Sequence, residues 1–535
     1  MSLTKVTYAM IDSAPANVRD FGAVGDGVTN DIVAFNLALR SGRSVFIPRG
    51  TYLIEPDTTP GSPFGDFMLY IGDSGAVPLL QSDLNGLTVF GEGNESIIKL
   101  GDNVGAGKLL FGAGVNDALA NMTFRDFAID LNGPNNLQSS FSDPLRYNSA
   151  FYLFCKCDNM LFENLYIYDG SGSQWIRCGG DSALSTGANI KVINCRFNNF
   201  GIGIPNNFQQ DVSVLYLEAS GVWVQDCWFQ NSDFTFDLSR GQTAIELHVP
   251  ENAFISNNTF LYTQLPVLVA SPYTAANNII ISDNTMVQCA YLASLDTAQF
   301  DQKNIQISTN IFTSTKASAS SIIAIGAAGE AAKAREDIKI SGNIITGFGN
   351  TNRIVNTITI EGAYLRSITI ENNSVGGFLG SLLYFAGQVM NTGFCDITIK
   401  NNRLDSLGNV GGSIFPTTPS FIFVSPSSGT INTLTIDGTV LFNSALKNYS
   451  ALGLYRLGGN INQLFIDGTE SSVDPIYPEF TESSLVTLTR RIDAEGTQAF
   501  LPVAAAGIAN QTLFLNSATS KLSYKDGAGV VHALY

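Results

Sequence analysis

The sequence holds two histidines, and one of them, His248, stands two residues beyond an acid in the segment TAIELHV that begins at Thr243. In a strand, alternate side chains point to opposite faces. With Ile245, Leu247 and Val249 turned to a core, Glu246 and His248 stand side by side on the outer face. Other polar groups flank this segment: Arg177 and Asp181 before it, Asp237 and Arg240 in the turn leading into it, and Asp296 after it. Cleavage of a glycosidic bond needs a general acid and a second carboxylate, with further groups to orient the substrate. Glu246 is the expected catalytic carboxylate, with Asp237 or Asp296 as the second and His248 orienting acid or substrate. Arg177, Asp181, Arg240 and Tyr291 are the expected substrate contacts. Tyr291 is one of several aromatics, with Tyr152, Tyr273, Trp175, Trp223 and Trp228, that could stack on sugar rings. The competing reading makes Glu246 and His248 an exposed ion pair, and Arg177 with Asp181 a structural or inter-chain salt bridge.

These groups must be positioned by a repeat. A phrase reading apolar-x-x-(Asn)-x-apolar begins at Phe124, Phe162, Val192, Val224, Ile255, Ile281, Ile307, Ile340, Ile370, Ile399, Ile436 and Ile466. The steps between starts run from 26 to 38 residues, and six successive fourth places hold Asn258, Asn284, Asn310, Asn343, Asn373 and Asn402. Self-similarity at such a period marks a solenoid. The alternation within each phrase, as in NIIISDNTM from Asn278, is that of strands, so the expected fold is all-β: a right-handed, three-sheet parallel β-helix with coils ~4.8 Å apart. The Asn column suits an inward ladder at a tight bend, since Asn bonds backbone and tolerates left-handed angles. A second column precedes each phrase: SAFYLFC from Ser149, QWIRC from Gln174, GIGIP from Gly201, TAIELHV, PVLVA from Pro266 and YLASLD from Tyr291. On this alignment Glu246 and Asp296 lie two coils apart, ~9.6 Å. That separation suits an inverting hydrolysis.

Composition narrows the partners. Of 535 residues only 14% are charged, and 46 acidic against 29 basic side chains give a net charge of −17. Nucleic acid and anionic membrane surfaces call for basic stripes, so neither is an expected partner. The opening MSLTKVTYAM has no apolar signal region, and no run of eighteen apolar residues reads as a membrane span. The seven cysteines show no metal-ligand grouping, so no metal or other cofactor is implied. Cys195 and Cys227 stand at the fourth repeat place, as small core residues, which fits folding in a reducing compartment.

The N-terminus reads NVRDFGAVGDGVTND from Asn17, then a helical spacing of Ile32, Phe35 and Leu39 stopped by Gly42, then VFIPRGTY from Val45. Asn30 or Asp31 is the expected N-cap, and the helix is expected to plug the first coil. This stretch resembles the opening motif of the pectate-lyase-like superfamily of right-handed β-helices, bacteriophage tailspikes that degrade polysaccharide above all. Within it Asp26 and Asp31 are read as turn and capping residues. Residues 475–535 end in alternating apolar segments around turns at Asn516–Ser520 and Lys525–Gly529, an expected antiparallel meander. That ending resembles the C-terminal segments of phage tail fibres and tailspikes. The expected division is 1–50 cap, 51–474 β-helix and 475–535 C-terminal β domain. The resemblance implies a homotrimer on a virion tail or baseplate, made in the host cytoplasm and acting at the bacterial surface on capsule or O-antigen. Only sixteen residues precede the motif, so attachment through another protein or a further segment is expected. Hydrolysis is the leading chemistry, with β-elimination on a uronate chain or glycan binding without cleavage as rivals.

Overall fold

In the computed structural model the described residues are 14–42, 44–56, 67–72, 85–105, 108–114, 116–136, 148–170, 174–180, 186–200, 212–231, 242–270, 275–295, 301–315, 321–326, 334–347, 356–360, 364–376, 383–386, 395–405, 422–425, 430–438, 440–442, 455–457, 460–467, 470–471, 478–480, 502–503, 512–516, 521–525 and 530–533. The chain divides into two compact units, Met1–Ala324 and Ile325–Tyr535. In each unit the strands of three parallel sheets wind as a right-handed parallel β-helix.

In the first unit the repeated phrase is the register mark of one sheet. Val45, Val89, Phe124, Phe162, Val192, Val224, Ile255, Ile281 and Ile307 stand opposite one another on successive parallel strands, all turned inward. The phrase therefore begins two coils earlier than its sequence signal does. A second sheet lines up Ile98, Ile129, Ile167, Phe197, Phe229, Phe260, Met286 and Phe312. The third lines up Phe111, Phe151, Ile176, Leu215, Ile245, Val267 and Ala293. Where aromatics are adjacent in a column they stack, as Phe197 on Phe229 at 4.8 Å and Phe229 on Phe260 at 5.0 Å between ring centres. Such pairs contribute about 0.5–1.5 kcal/mol beyond the area they bury. In the second unit the same phrase pairs Ile340, Ile370, Ile399, Ile436 and Ile466. There Thr512–Asn516, Lys521–Lys525 and Val531–Ala533 form the expected antiparallel meander. The boundary expected near 475 lies outside the described residues.

The Asn column is a buried ladder. Asn258 Nδ2 donates to Asn284 Oδ1 at 3.0 Å, Asn284 Nδ2 to Asn310 Oδ1 at 3.0 Å, and Asn373 Nδ2 to Asn402 Oδ1 at 2.9 Å. Each Oδ1 also accepts the backbone N–H of the Asn one coil back, and the ladder ends on the N–H of Cys227. Left-handed backbone is not the ladder's own property, as the sequence reading had it. The positive φ falls one place earlier, at Asp226, Asn257, Asp283, Thr309, Asn372 and Asn401. The bend turns at that residue, which frees the next one to point inward and bond.

The Ile32–Leu39 helix buries Ile32, Phe35 and Leu39 as expected. Its buried Asn36 bonds the carbonyl of Met68 and the N–H of Tyr70, tying the helix to the Phe67–Tyr70 strand at the edge of the third sheet. Asp31 makes no side-chain cap. Its carboxylate accepts the N–H groups of Val24 and Gly25, while Asn30 Oδ1 accepts from Ile32 N at 3.2 Å. Asp26 holds the turn, and hydrogen bonds from Thr29 and Val28 keep its carboxyl below the ordinary range.

Two predictions follow from this packing. Asn284→Ala removes both ladder bonds on either side and strands the Asn258 amide and the Ile255 carbonyl inside the protein. The loss should be about 2–4 kcal/mol, read from the shift of the urea midpoint. All seven cysteines are buried and unpaired with one another, and burial pushes Cys289 and Cys395 up to about 12. A chromogenic disulfide reagent at neutral pH should find no fast thiol in the native protein and the full set after denaturation. A rapidly titrating thiol in native protein contradicts the described core.

Candidate active site

The third sheet carries the predicted site on its outward face. Register places Tyr152, Arg177, Tyr216, Glu246, Leu268 and Ser294 in one column, on the strands Ser149–Leu153, Ile176–Cys178, Val212–Leu217, Gln242–Leu247, Leu265–Val269 and Ala293–Leu295. Glu246 and Arg177 are thus two strands apart with Tyr216 between them. The alternation that turns Ile245 and Leu247 into the core forces Glu246 outward.

Glu246 and His248 are paired as the spacing suggested, at 2.5 Å between Oε1 and Nε2. The pair is buried, with side chains 5% and 12% exposed, so the exposed ion pair of the competing reading is not what forms. Ser213 Oγ donates to the other carboxylate oxygen of Glu246. The hydroxyl of Tyr216 lies 3.2 Å from His248 Nδ1, and the two rings pack at 4.1 Å. For a neutral imidazole these bonds are all satisfied when Nε2–H is donated to Glu246 and Nδ1 accepts from Tyr216. The result is a hydroxyl–imidazole–carboxylate relay.

Arg177 does not face substrate as expected. Its side chain is 4% exposed and ion-paired to Glu218, itself fully buried, at 3.3 Å. Its other donors bond Gly179 O, Gln174 Oε1 and Tyr152 OH, and its guanidinium lies among the rings of Phe154, Tyr216 and Tyr152 at 4.5, 4.6 and 5.2 Å. It holds the back of the site and packs Tyr216 against His248. Gly179 makes this possible: its φ is +123°, and a Cβ there would meet Glu218 Cβ at 2.3 Å.

Tyr291 lies half-buried ahead of the Ala293–Leu295 strand, its N–H donated to Gln264 O. Asp181, Asp237, Arg240 and Asp296 lie outside the described residues. Among the described residues no three or more His, Cys, Asp or Glu side chains are grouped to hold a metal. The sequence reading missed Tyr216, Glu218 and Ser213 because it assigned this coil's strand to GIGIP. The pairing strand is Val212–Leu217, and the signal was spacing: Glu246 precedes the phrase at Ile255 by nine places, and Tyr216 precedes Val224 by eight.

Residues 16–142 match the family model described as rhamnogalacturonase A/epimerase, pectate lyase-like. Over 212 residues the chain is 27% identical to the pre-neck appendage protein of Bacillus phage phi29, covering 37% of this chain and 22% of that protein. The preneck appendage protein of Bacillus phage PZA matches to the same extent. Among solved structures, pre-mature gene product 12 of bacteriophage phi29 superposes with a TM-score of 0.58 at 17% identity. That match covers 90% of this chain and 57% of the phi29 chain. A mutant tailspike of E. coli bacteriophage HK620, solved with a pentasaccharide, gives 0.56 at 14% identity over 88% of this chain and 78% of that one. The chain therefore spans little more than half the length of the phi29 protein and less than a quarter of the curated relatives it matches.

The Arg177–Glu218 pair is open to direct measurement. Glu218→Gln keeps the shape and leaves a buried guanidinium without its charge partner, which should cost about 3–5 kcal/mol of unfolding free energy. The double variant Arg177→Met/Glu218→Leu removes both charges and should recover much of that loss. Equal stability of Glu218→Gln and the parent protein would show that the pair is not closed in solution.

Proposed function

We propose that this chain is a phage tail appendage that binds a bacterial surface polysaccharide and hydrolyses its glycosidic bonds at Glu246. The observation that carries the proposal is the Glu246 carboxylate, held by His248 and Ser213 on the outward column of a β-helix sheet. A carboxylate fixed in this way is oriented before substrate arrives, which is what a general base or nucleophile needs. The phage appendage relatives and the tailspike solved with a pentasaccharide support the biological setting. In this reading the Glu246 carboxylate acts as base or nucleophile, and His248, held by its bond to Tyr216, sets its orientation. Asp237 or Asp296 supplies the second carboxylate, and Asp181, Arg240 and Tyr291 contact the chain. Arg177 and Glu218 position Tyr216 and touch no substrate. Attachment to the tail belongs to the same reading, supported by the phage appendage relatives, and trimeric assembly is proposed from the resemblance of the C-terminal segment alone.

The test is Glu246→Gln against purified capsules and O-antigens, scored by new reducing ends. The wild-type protein should release them from one polysaccharide type, and the variant should be slower by about 10²–10⁴-fold at unchanged melting temperature. A variant that cleaves at a near-normal rate places the chemistry elsewhere on the sheet.

A further inference from the structure

On the second sheet, a different face from the one bearing Glu246, three neighbouring strands present a grid of six side chains. Register puts Tyr166, Arg196 and Trp228 in one column and Tyr168, Asn198 and Gln230 in the next. Adjacent coils set members of a column ~4.8 Å apart, so Tyr166 and Trp228 are separated by ~9.6 Å. Trp228 is 39% exposed, large for an indole on a folded protein, and its N–H is fixed on Gln230 Oε1 at 3.0 Å. Tyr166 and Tyr168 stack at 4.7 Å, and Asn198 Nδ2 donates to the Tyr166 hydroxyl at 3.2 Å. Asn198 Oδ1 is buried yet accepts no hydrogen bond. Whichever way that amide is turned, one of its polar atoms is left without a partner, and a buried orphan of this kind is costly unless a ligand group meets it. The side chain of Arg196 is exposed and makes no ion pair or hydrogen bond among the described residues. Of the carboxylates near this face, Asp130, in register with Tyr168, and Asp169, bonded by Asn199, lie at the Tyr168 end, while Asp226, at the bend two residues before Trp228, is bonded by Asn257.

The geometry points to a second glycan-binding site here, for an oligosaccharide that carries a carboxylate. Trp228 and Tyr166 offer flat faces for the apolar sides of two sugar rings, and the amides of Asn198 and Gln230 offer donors and acceptors to hydroxyls. The Arg196 fork between the two aromatics takes the acid group, away from Asp130 and Asp169. A cation without a partner in a chain of net charge −17 is the feature that selects an acidic over a neutral sugar. This site is independent of cleavage at Glu246: its role is to hold the chain while another part of it is cut.

Calorimetric titration of the full chain with hexameric galacturonate, oligosialate and neutral maltohexaose tests it. At least one acidic oligomer should bind and maltohexaose should not. Arg196→Ala and Trp228→Ala should each weaken binding by about tenfold or more, Arg196→Lys by less, and Glu246→Gln should leave it unchanged. Trp228→Phe should retain binding. Binding that ignores Arg196→Ala and Trp228→Ala overturns the site, as does failure of both acidic oligomers at about 1 mM. If Trp228→Ala instead changes the sedimentation coefficient and no acidic sugar binds, the face is an interface with a second copy and the proposal is wrong. Loss of cleavage in Glu246→Gln with intact binding here separates the two sites.

Discussion

Successive coils are joined by parallel backbone hydrogen bonds, and because side chains alternate with a period of two, that register has no tolerance for a one-residue slip. A slip would turn Phe124, Phe162, Val192 and Val224 to solvent and put the residues beside them into the core. The Asn ladder adds a second lock, since each Oδ1 must meet both the side-chain and backbone N–H groups of the neighbouring coil. With register fixed at the bend between two sheets, the third sheet is fixed as well. Arg177, Tyr216 and Glu246 come from segments separated by long, unequal connections, yet they share one column because their coils cannot sit otherwise.

The polar cluster built on that column has a layered logic. At its back, a buried guanidinium and carboxylate neutralise each other, and three aromatic rings surround the cation. Burying such a pair gains little net stability. What it contributes is placement of Tyr216, whose hydroxyl and ring fix the imidazole of His248, which in turn fixes Glu246. Side-chain exposure is nil at Glu218, 4% at Arg177, 5% at Glu246 and 12% at His248, so the imidazole is the most open of the charged groups.

Much of this was legible from the sequence because a repeat is read many times over. The phrase starts at Phe124 and beyond fell in exact register with one another within each unit, and the outward placing of Glu246 beside His248 followed from Ile245 and Leu247 alone. The bend was misread by one place, since Asn serves both as a left-handed residue and as a ladder rung, and sequence does not say which Asn does which. Asn257 turns the chain and Asn258 bonds. Tyr216 and Glu218 were hidden because both faces of Val212–Leu217 are apolar, so alternation gave no contrast, and GIGIP lay closer to QWIRC. The burial of Arg177 was hidden for a different reason: its partner Glu218 lies 41 residues away, and no local pattern announces a pairing across coils.

In the proposed function the chain cuts a glycosidic bond by adding water. The direct measurement is mass spectrometry of fragments released from the susceptible polysaccharide in ¹⁸O-labelled water. Hydrolysis predicts one solvent oxygen at each new reducing end and no new double bond. Fragments carrying an unsaturated uronate and no label would contradict the account, because the bond would then have been broken by elimination.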